Sequence, residues 1–275
     1  MRVDVIAGTS LGAAVGAVRA LGMDLGFLRK VIESLDLNSL LQVSNSTMRE
    51  VQRAIGRGMI EYLRGPAWRS PEREVPSTAR MRELFALLTA QRDFSDTIIP
   101  FAAVSADLET GERVVLQSGK LCDAIAASAA VPGIFPPVLC QNRYLIDGGI
   151  IDKIPVDVAI DLGADAVLAV DTGAPLTRRV ETSFDALFQS ERITSRRLTA
   201  LQLDKASDRI GGRLLLLRPA VGWMTMFAFE HVPFAVRAGV EAARADISRV
   251  RQILQRRLPV SARWQSRRAH PPPRK

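Results

Sequence analysis

Cysteine is scarce in this 275-residue chain: Cys122 and Cys140 are the only two, and no C-x-x-C occurs. Two thiols make no disulfide framework at this length, so the fold must rest on its core, and a reducing compartment fits. Histidine is as scarce, with His231 and His270 alone. His270 lies in a Pro-rich tail, and His231 sits between apolar residues just before Pro233, where a structural role is expected. The usual histidine base for a nucleophile is therefore poorly provided for. No run of eighteen apolar residues exists, because Arg218 and Pro219 break the stretch from 214 to 229, so no segment is expected to span a membrane. The apolar start V-I-A-G-T-S-L-G-A-A-V-G-A-V has only Arg2 ahead of it and runs into a helix. It is expected to belong to the fold rather than to a signal peptide. No internal repeat is present.

What is there is the composition of a globular protein, 47% apolar and 24% charged, enough for one domain with a sizeable core. Lys and Arg outnumber Asp and Glu by 37 to 29, giving a net charge of +8. Much of the excess follows residue 250, in Arg251, Arg256, Arg257, Arg263, Arg267, Arg268, Arg274 and Lys275. The expected division is a domain over residues 1–257 and a disordered basic tail over 258–275, with Pro271-Pro272-Pro273 inside it. Such a tail is ordinarily solvated, and its charge favours loose contact with an anionic membrane. No nucleic-acid partner is expected. The expected location is the cytoplasm, with peripheral contact at the inner membrane face.

Along the chain, Val3–Ala7 is a short β-branched run that reads as a buried strand. Residues 8–12 turn, and Ala13 to Leu21 continue as a helix whose Gly12, Ala13, Gly16 and Ala17 permit close approach to a sheet. Residues 24–63 have helical spacing, 64–79 form a Pro- and Gly-containing loop, and 81–89 are a helix. Strands at 101–105 and 113–117 flank Glu109-Thr110-Gly111 as a hairpin. Then come a helix at 121–128, a strand at 143–146, a helix at 156–162 and a buried strand at 166–170. A helix at 184–210, a strand at 213–217 and a helix at 233–256 complete the order. Alternating strands and helices imply an α/β fold with a largely parallel sheet covered on both faces.

Gly8-Thr9-Ser10-Leu11-Gly12 is a G-x-S-x-G pentapeptide directly after a strand and directly before a helix, the context of a nucleophile elbow. A serine on so tight a turn needs small flanking residues, and the helix N-terminus aims N–H groups at a developing oxyanion. A P-loop is excluded, since no Lys follows, and the glycines miss the dinucleotide-binding spacing. The order Ser10, Asp147, His231 matches an α/β-hydrolase triad, yet that fold places several strands before its elbow and here there is at most one. A carboxylate base is the better reading. Asp147 ends the strand R-Y-L-I, and Gly148-Gly149 after it allow a tight turn. Its pKa has to be raised by burial, with Tyr144, Ile146, Ile150 and Ile151 as candidate walls. Asp171, at the end of V-L-A-V, is the rival, with helix capping the role that suits it better.

The segments D-V-I-A-G-T-S-L-G, A-A-S-A-A-V-P-G-I-F-P-P-V and Y-L-I-D-G-G-I-I-D-K-I-P-V-D-V-A together resemble the bacterial patatin-like phospholipases over roughly residues 3–172. The resemblance implies a three-layer α/β/α fold and a Ser–Asp dyad carried onto Ser10 and Asp147. Gly8, Thr9, Leu11 and Gly12 would form the elbow and oxyanion motif, and Gly148 and Gly149 the D-G-G turn. It further implies hydrolysis of a lipid or phospholipid acyl ester, with no metal and no organic cofactor. Two alternatives stay open: an acyltransferase on the same scaffold, and a non-catalytic lipid-associated protein.

The family pattern opens with a strand, a G-G-G-x-R-G type turn and a helix before the D-V-I-A-G-T-S strand. Met1-Arg2 stand where that helix should finish, so the first β–α unit is expected to be missing. Of the oxyanion donors only the N–H of Leu11 is then obvious. A start codon placed downstream of the true one is favoured over natural truncation or completion by another chain.

Overall fold

The computed structural model describes residues 3–34, 76–132, 134–178, 180–181, 183–222, 224 and 229–255. The expected helical stretch beyond residue 34, most of the loop at 64–79 and the tail 258–275 lie outside these residues.

The described chain runs β1 (Ile6–Thr9), α1 (Leu11–Ala20), α2 (Leu25–Ser34), α3 (Pro76–Leu88), β2 (Phe101–Asp107) and β3 (Arg113–Leu116). It continues through α4 (Leu121–Ser128), β4 (Val138–Cys140), β5 (Arg143–Asp147), α5 (Val156–Asp161) and β6 (Val167–Val170). The last elements are α6 (Ser183–Arg209), β7 (Leu214–Leu217), α7 (Val232–Ala245) and α8 (Ile247–Gln255). The architecture is three-layer α/β/α. One group of five strands is centred on β2, and β6 and β7 form a second, two-stranded sheet. The expectation of a parallel sheet holds for strands joined through helices, β1 with β2 and β6 with β7. Where the chain returns directly, as in the hairpins β2–β3 and β4–β5, the pairs are antiparallel, and β2 with β5 is antiparallel too.

Strand β2 is buried at all seven positions, which requires cover on both faces. Side chains alternate along it. Phe101 and Ala103 join Ala13, Ala17, Phe85, Leu121 and Ile125 in a core under α1, α3 and α4. Ala102 and Val104 face the other way, onto Val158 of α5. A further core gathers Val156, Ala159, Val167, Ala169, Ala206 and Ile210, with Val5 and Ala7 packed against it. Helix α1 lies close to the sheet because it is small on that side. A methyl group at Gly16 would stand 3.0 Å from both Ile6 Cγ2 and Phe101 Cε2.

Two departures from the sequence reading concern strands. Pairing begins at Ile6 rather than Val3, because the partner strand starts at Phe101. Strand β6 is not buried on both faces: Val167 and Ala169 are interior, whereas Leu168 and Val170 are exposed.

The placement of the site follows from one feature of register. Residues 103 and 104 of β2 pair with both β1 and β3, and residues 105 and 106 pair with both β3 and β5. Each edge of a strand accepts one partner per position, so β3 holds one edge of β2 while β1 and β5 share the other. Thr9 ends β1 opposite Val104, and Asp147 ends β5 opposite Ser105. The two strands thus meet tip to tip along one edge.

Candidate active site

Ser10 leaves the tip of β1 and opens α1 with φ 56° and ψ −129°. A positive φ at a non-glycine residue costs on the order of 1–3 kcal/mol and persists only where the surroundings impose it. Here the carbonyl of Ser10 accepts from the N–H groups of Ala13 and Ala14, at 2.9 and 3.3 Å, which ties the turn into the first turn of α1. The N–H groups of Leu11 and Gly12 belong to the helix start, where no intrahelical acceptor exists. The need for small residues in G-x-S-x-G is real at one end only. A Cβ on Gly8 would lie 2.5 Å from the Gly12 carbonyl oxygen, while one on Gly12 would meet nothing within 4 Å among the described residues.

Asp147 leaves the tip of β5 and is 7% exposed. Its Oδ1 accepts the Gly149 N–H at 2.7 Å, across the short 3-10 turn Gly148–Ile150. Burial pushes its carboxyl pKa above the ordinary aspartate value; the Gly149 N–H, the hydroxyl of Ser10 and the charge of Lys153 pull the other way, and Glu191 adds to the rise. Ser10 and Asp147 are therefore close enough for the hydroxyl to act on the carboxyl group. Ile146 is not a wall of this carboxylate, since strand alternation turns it to the opposite face. Ile150 is exposed.

Glycine at 148 is set by close approach, because a Cβ there would stand 2.2 Å from the carbonyl oxygen of Val104. The turn is locked behind it. Ile151 and Asp152 both donate their N–H to the Gly148 carbonyl, at 3.0 and 2.8 Å, and Thr9 Oγ1 donates to the Asp152 carbonyl at 2.8 Å. The Asp152 side chain, 2% exposed, is bound by Arg113 at 2.6 Å. Its pKa is still raised, because burial outweighs the guanidinium.

The other candidates lie elsewhere. His231 faces Glu230 at 3.7 Å at the start of α7, whose neighbour is α2. Asp171 does not cap a helix; its Oδ1 takes the Gly173 N–H at 2.9 Å and its Oδ2 faces Arg218 Nε at 3.3 Å. Four site neighbours escaped the sequence reading. Ser128 accepts the N–H of Ser10 at 2.8 Å, and Ala130 offers its carbonyl to the N–H of Asp147 at 2.9 Å. Lys153 and Glu191 act on the carboxylate through space. Ser128 and Ala130 stand within the A-A-S-A-A-V-P segment, which was the available signal. Glu191 offers none, because its position depends on α6 packing on the 148–150 turn, where Ser195 Oγ donates to the Gly149 carbonyl at 3.3 Å.

Comparison with known proteins finds relatives of this chain. A family model described as patatin-like phospholipase matches residues 1–160. An uncharacterized NTE family protein of Mycobacterium bovis is 27% identical over 276 residues, covering 89% of this chain and 41% of the relative. A different NTE family protein, of Mycobacterium tuberculosis, is 30% identical over 171 residues, covering 60% of this chain and 39% of the relative. Patatin-like phospholipase domain-containing protein 7 of Mus musculus is 28% identical over 176 residues, covering 62% of this chain and 12% of the mouse protein. The chain spans about two fifths of the length of these mycobacterial relatives.

Proposed function

The chain belongs to the patatin-like phospholipase family, and from that premise we propose that it is a lipid acyl hydrolase, with Ser10 as nucleophile and Asp147 as proton acceptor. One observation carries the reading. A buried carboxylate ends β5 against the tip of β1, beside a serine that is held in a strained turn at a helix N-terminus. Burial brings the carboxyl toward the range where a general base works near neutral pH.

Ser10 Oγ attacks the acyl carbonyl carbon as its proton passes to Asp147. The carbonyl oxygen gains the negative charge and faces the Leu11 N–H and the positive end of α1. Collapse breaks the ester C–O bond, and the departing alkoxide takes the proton from Asp147. Water then attacks the acyl-serine while Asp147 receives its proton. The second collapse releases the fatty acid and returns that proton to Ser10.

A fluorophosphonate probe is expected to label the wild-type chain and to leave Ser10→Ala unlabelled, with p-nitrophenyl ester turnover lost in parallel. Labelling that persists in Ser10→Ala places the nucleophile elsewhere. A wild type that neither labels nor turns over favours a non-catalytic lipid-associated protein. Acyl transfer to an added alcohol in preference to water favours an acyltransferase.

The basic segment 258–275 is proposed as a second element, a tail that holds the domain 1–257 at an anionic membrane face. It carries Arg263, Arg267, Arg268, Arg274 and Lys275 and no acidic residue. Each such charge near an anionic surface is worth about 1 kcal/mol. No helix among the described residues is long and apolar enough to cross a membrane. The full chain is expected to sediment with vesicles containing phosphatidylserine at low salt and to be released as salt rises, and a chain ending at residue 257 to stay in solution. Equal sedimentation of the two chains refutes the proposal.

A further inference from the structure

The nucleophile's backbone has a hydrogen-bonding need that neither β1 nor α1 can meet. Strand β1 ends at Thr9, so the Ser10 N–H has no partner in the ladder with β2. The N–H points instead at Ser128 Oγ, 2.8 Å away. Ser128 is 0% exposed and closes α4. A serine in a helix commonly turns its hydroxyl back to the carbonyl four residues earlier. This one reaches out of the helix to the carbonyl of Val104 on β2, at 2.5 Å. The direction of both bonds is fixed by chemistry. An amide N–H only donates and a carbonyl only accepts, so the hydroxyl accepts from Ser10 and donates to Val104. No apolar side chain can do both.

The Val104 carbonyl is the same atom against which Gly148 packs. Two residues after Ser128, the Ala130 carbonyl takes the N–H of Asp147. The end of α4 thereby grips the backbone on both sides of the Ser10–Asp147 pair. Only one of the two grips is a side chain.

Building on the Ser10–Asp147 reading, we propose that Ser128 is the positioning residue of the nucleophile: its hydroxyl relays between the Ser10 N–H and the Val104 carbonyl and holds Ser10 in its strained turn, with Oγ toward Asp147. It touches no substrate. Without it, Ser10 is free to relax to negative φ, and its Oγ swings away from the carboxylate.

Ser105 supplies the control. It too is a fully buried serine, next to Val104 on β2 and opposite Asp147, but its Oγ has no hydrogen-bond partner among the described residues. In the full chain, S128A is expected to lower kcat on a short p-nitrophenyl ester about 100-fold, the scale of a 1 Å misplacement, with KM little changed. Fluorophosphonate labelling should slow in proportion. S128T, which keeps the hydroxyl, should recover much of the loss, and S105A should behave as wild type. The acid limb of the pH profile should move to higher pH in S128A, because the Ser10 hydroxyl no longer favours the charged carboxylate, while Lys153 and Glu191 remain as they are.

A second readout does not depend on catalysis. Hydrogen exchange at the Ser10 amide should be slow in wild type and in S128T, and fast in S128A at temperatures well below its melting point. If S128A does not fold, S128C, with its weaker donor and acceptor, takes its place with the same expectations. Full kcat in S128A with a normal melt overturns the proposal, as does an equal loss in S105A or a Ser10 amide that stays protected in S128A. A wild type that hydrolyses nothing refutes the proposed function, and the amide exchange then still decides the role of Ser128.

Discussion

Asp147→Asn is expected to lower ester turnover by about 10⁴-fold, the cost of losing a nucleophile's proton acceptor, while raising the melting temperature at pH 7. The two halves of this expectation share one cause. Burial raises the pKa of Asp147 above its usual value of 3.8, so the folded state binds that proton more tightly than the unfolded chain does. Stability therefore falls as pH climbs from the usual value through the raised one, and above the raised value the full cost of holding a buried charge stands. Asparagine removes the charge and still offers Oδ1 to the Gly149 N–H. Its stabilising effect should shrink as pH is lowered and wild-type Asp147 takes up its own proton. His231→Gln, beside it, should keep most of the activity. A mutant that melts below wild type at pH 7, or keeps more than about a hundredth of the turnover, contradicts the assignment of Asp147 as a buried general base.

Gly148→Ala should be among the most damaging methyl groups that can be added to this protein. The new carbon would stand 2.2 Å from the Val104 carbonyl oxygen and 2.7 Å from its carbonyl carbon. Both belong to the central strand, so there is no flexible side chain to yield. Ordinary overpacking costs about 1–3 kcal/mol, and backbone against backbone belongs at or above the top of that range. For a chain of this size about 3 kcal/mol corresponds to a fall of about 6–12 °C in melting temperature. Gly12→Ala is the matched comparison, since its methyl group meets nothing within 4 Å among the described residues. It should hold its stability or gain up to about 1 kcal/mol from better helix propensity. If thermal melts place the two substitutions level, the crowding at Gly148 has been misjudged.

Features set by neighbouring residues were readable in advance. The strand, turn and helix around Ser10 follow from local spacing, as do the D-G-G turn and the hairpin through Gly111. The long helix expected at 184–210 is found as Ser183–Arg209. Features set by distant residues, or by unusual local choices, were not readable. Strand β4 went unseen because its tight turn to β5 uses Gln141 and Asn142, at φ 50° and 61°, where a glycine would have signalled it. The last helix breaks at Asp246 into α7 and α8 although neither Gly nor Pro marks the place. Ser128 reads locally as one more small residue at a helix end. Its partners lie 118 and 24 residues away, and nothing short of the fold brings them to it.

The tip-to-tip meeting of β1 and β5 gives the Ser10–Asp147 pair an unusual mechanical character. Strands that lie side by side are laced by backbone hydrogen bonds, and their separation is stiff. Two strands ending against each other have no backbone ladder across the joint; their spacing follows the pitch of β2, about 3.3 Å per residue, and is spanned by the Thr9–Asp152 bond and the end of α4. Twisting of the sheet, its common soft deformation, carries both tips round together and leaves the pair intact. Tension along β2 is the deformation that pulls them apart.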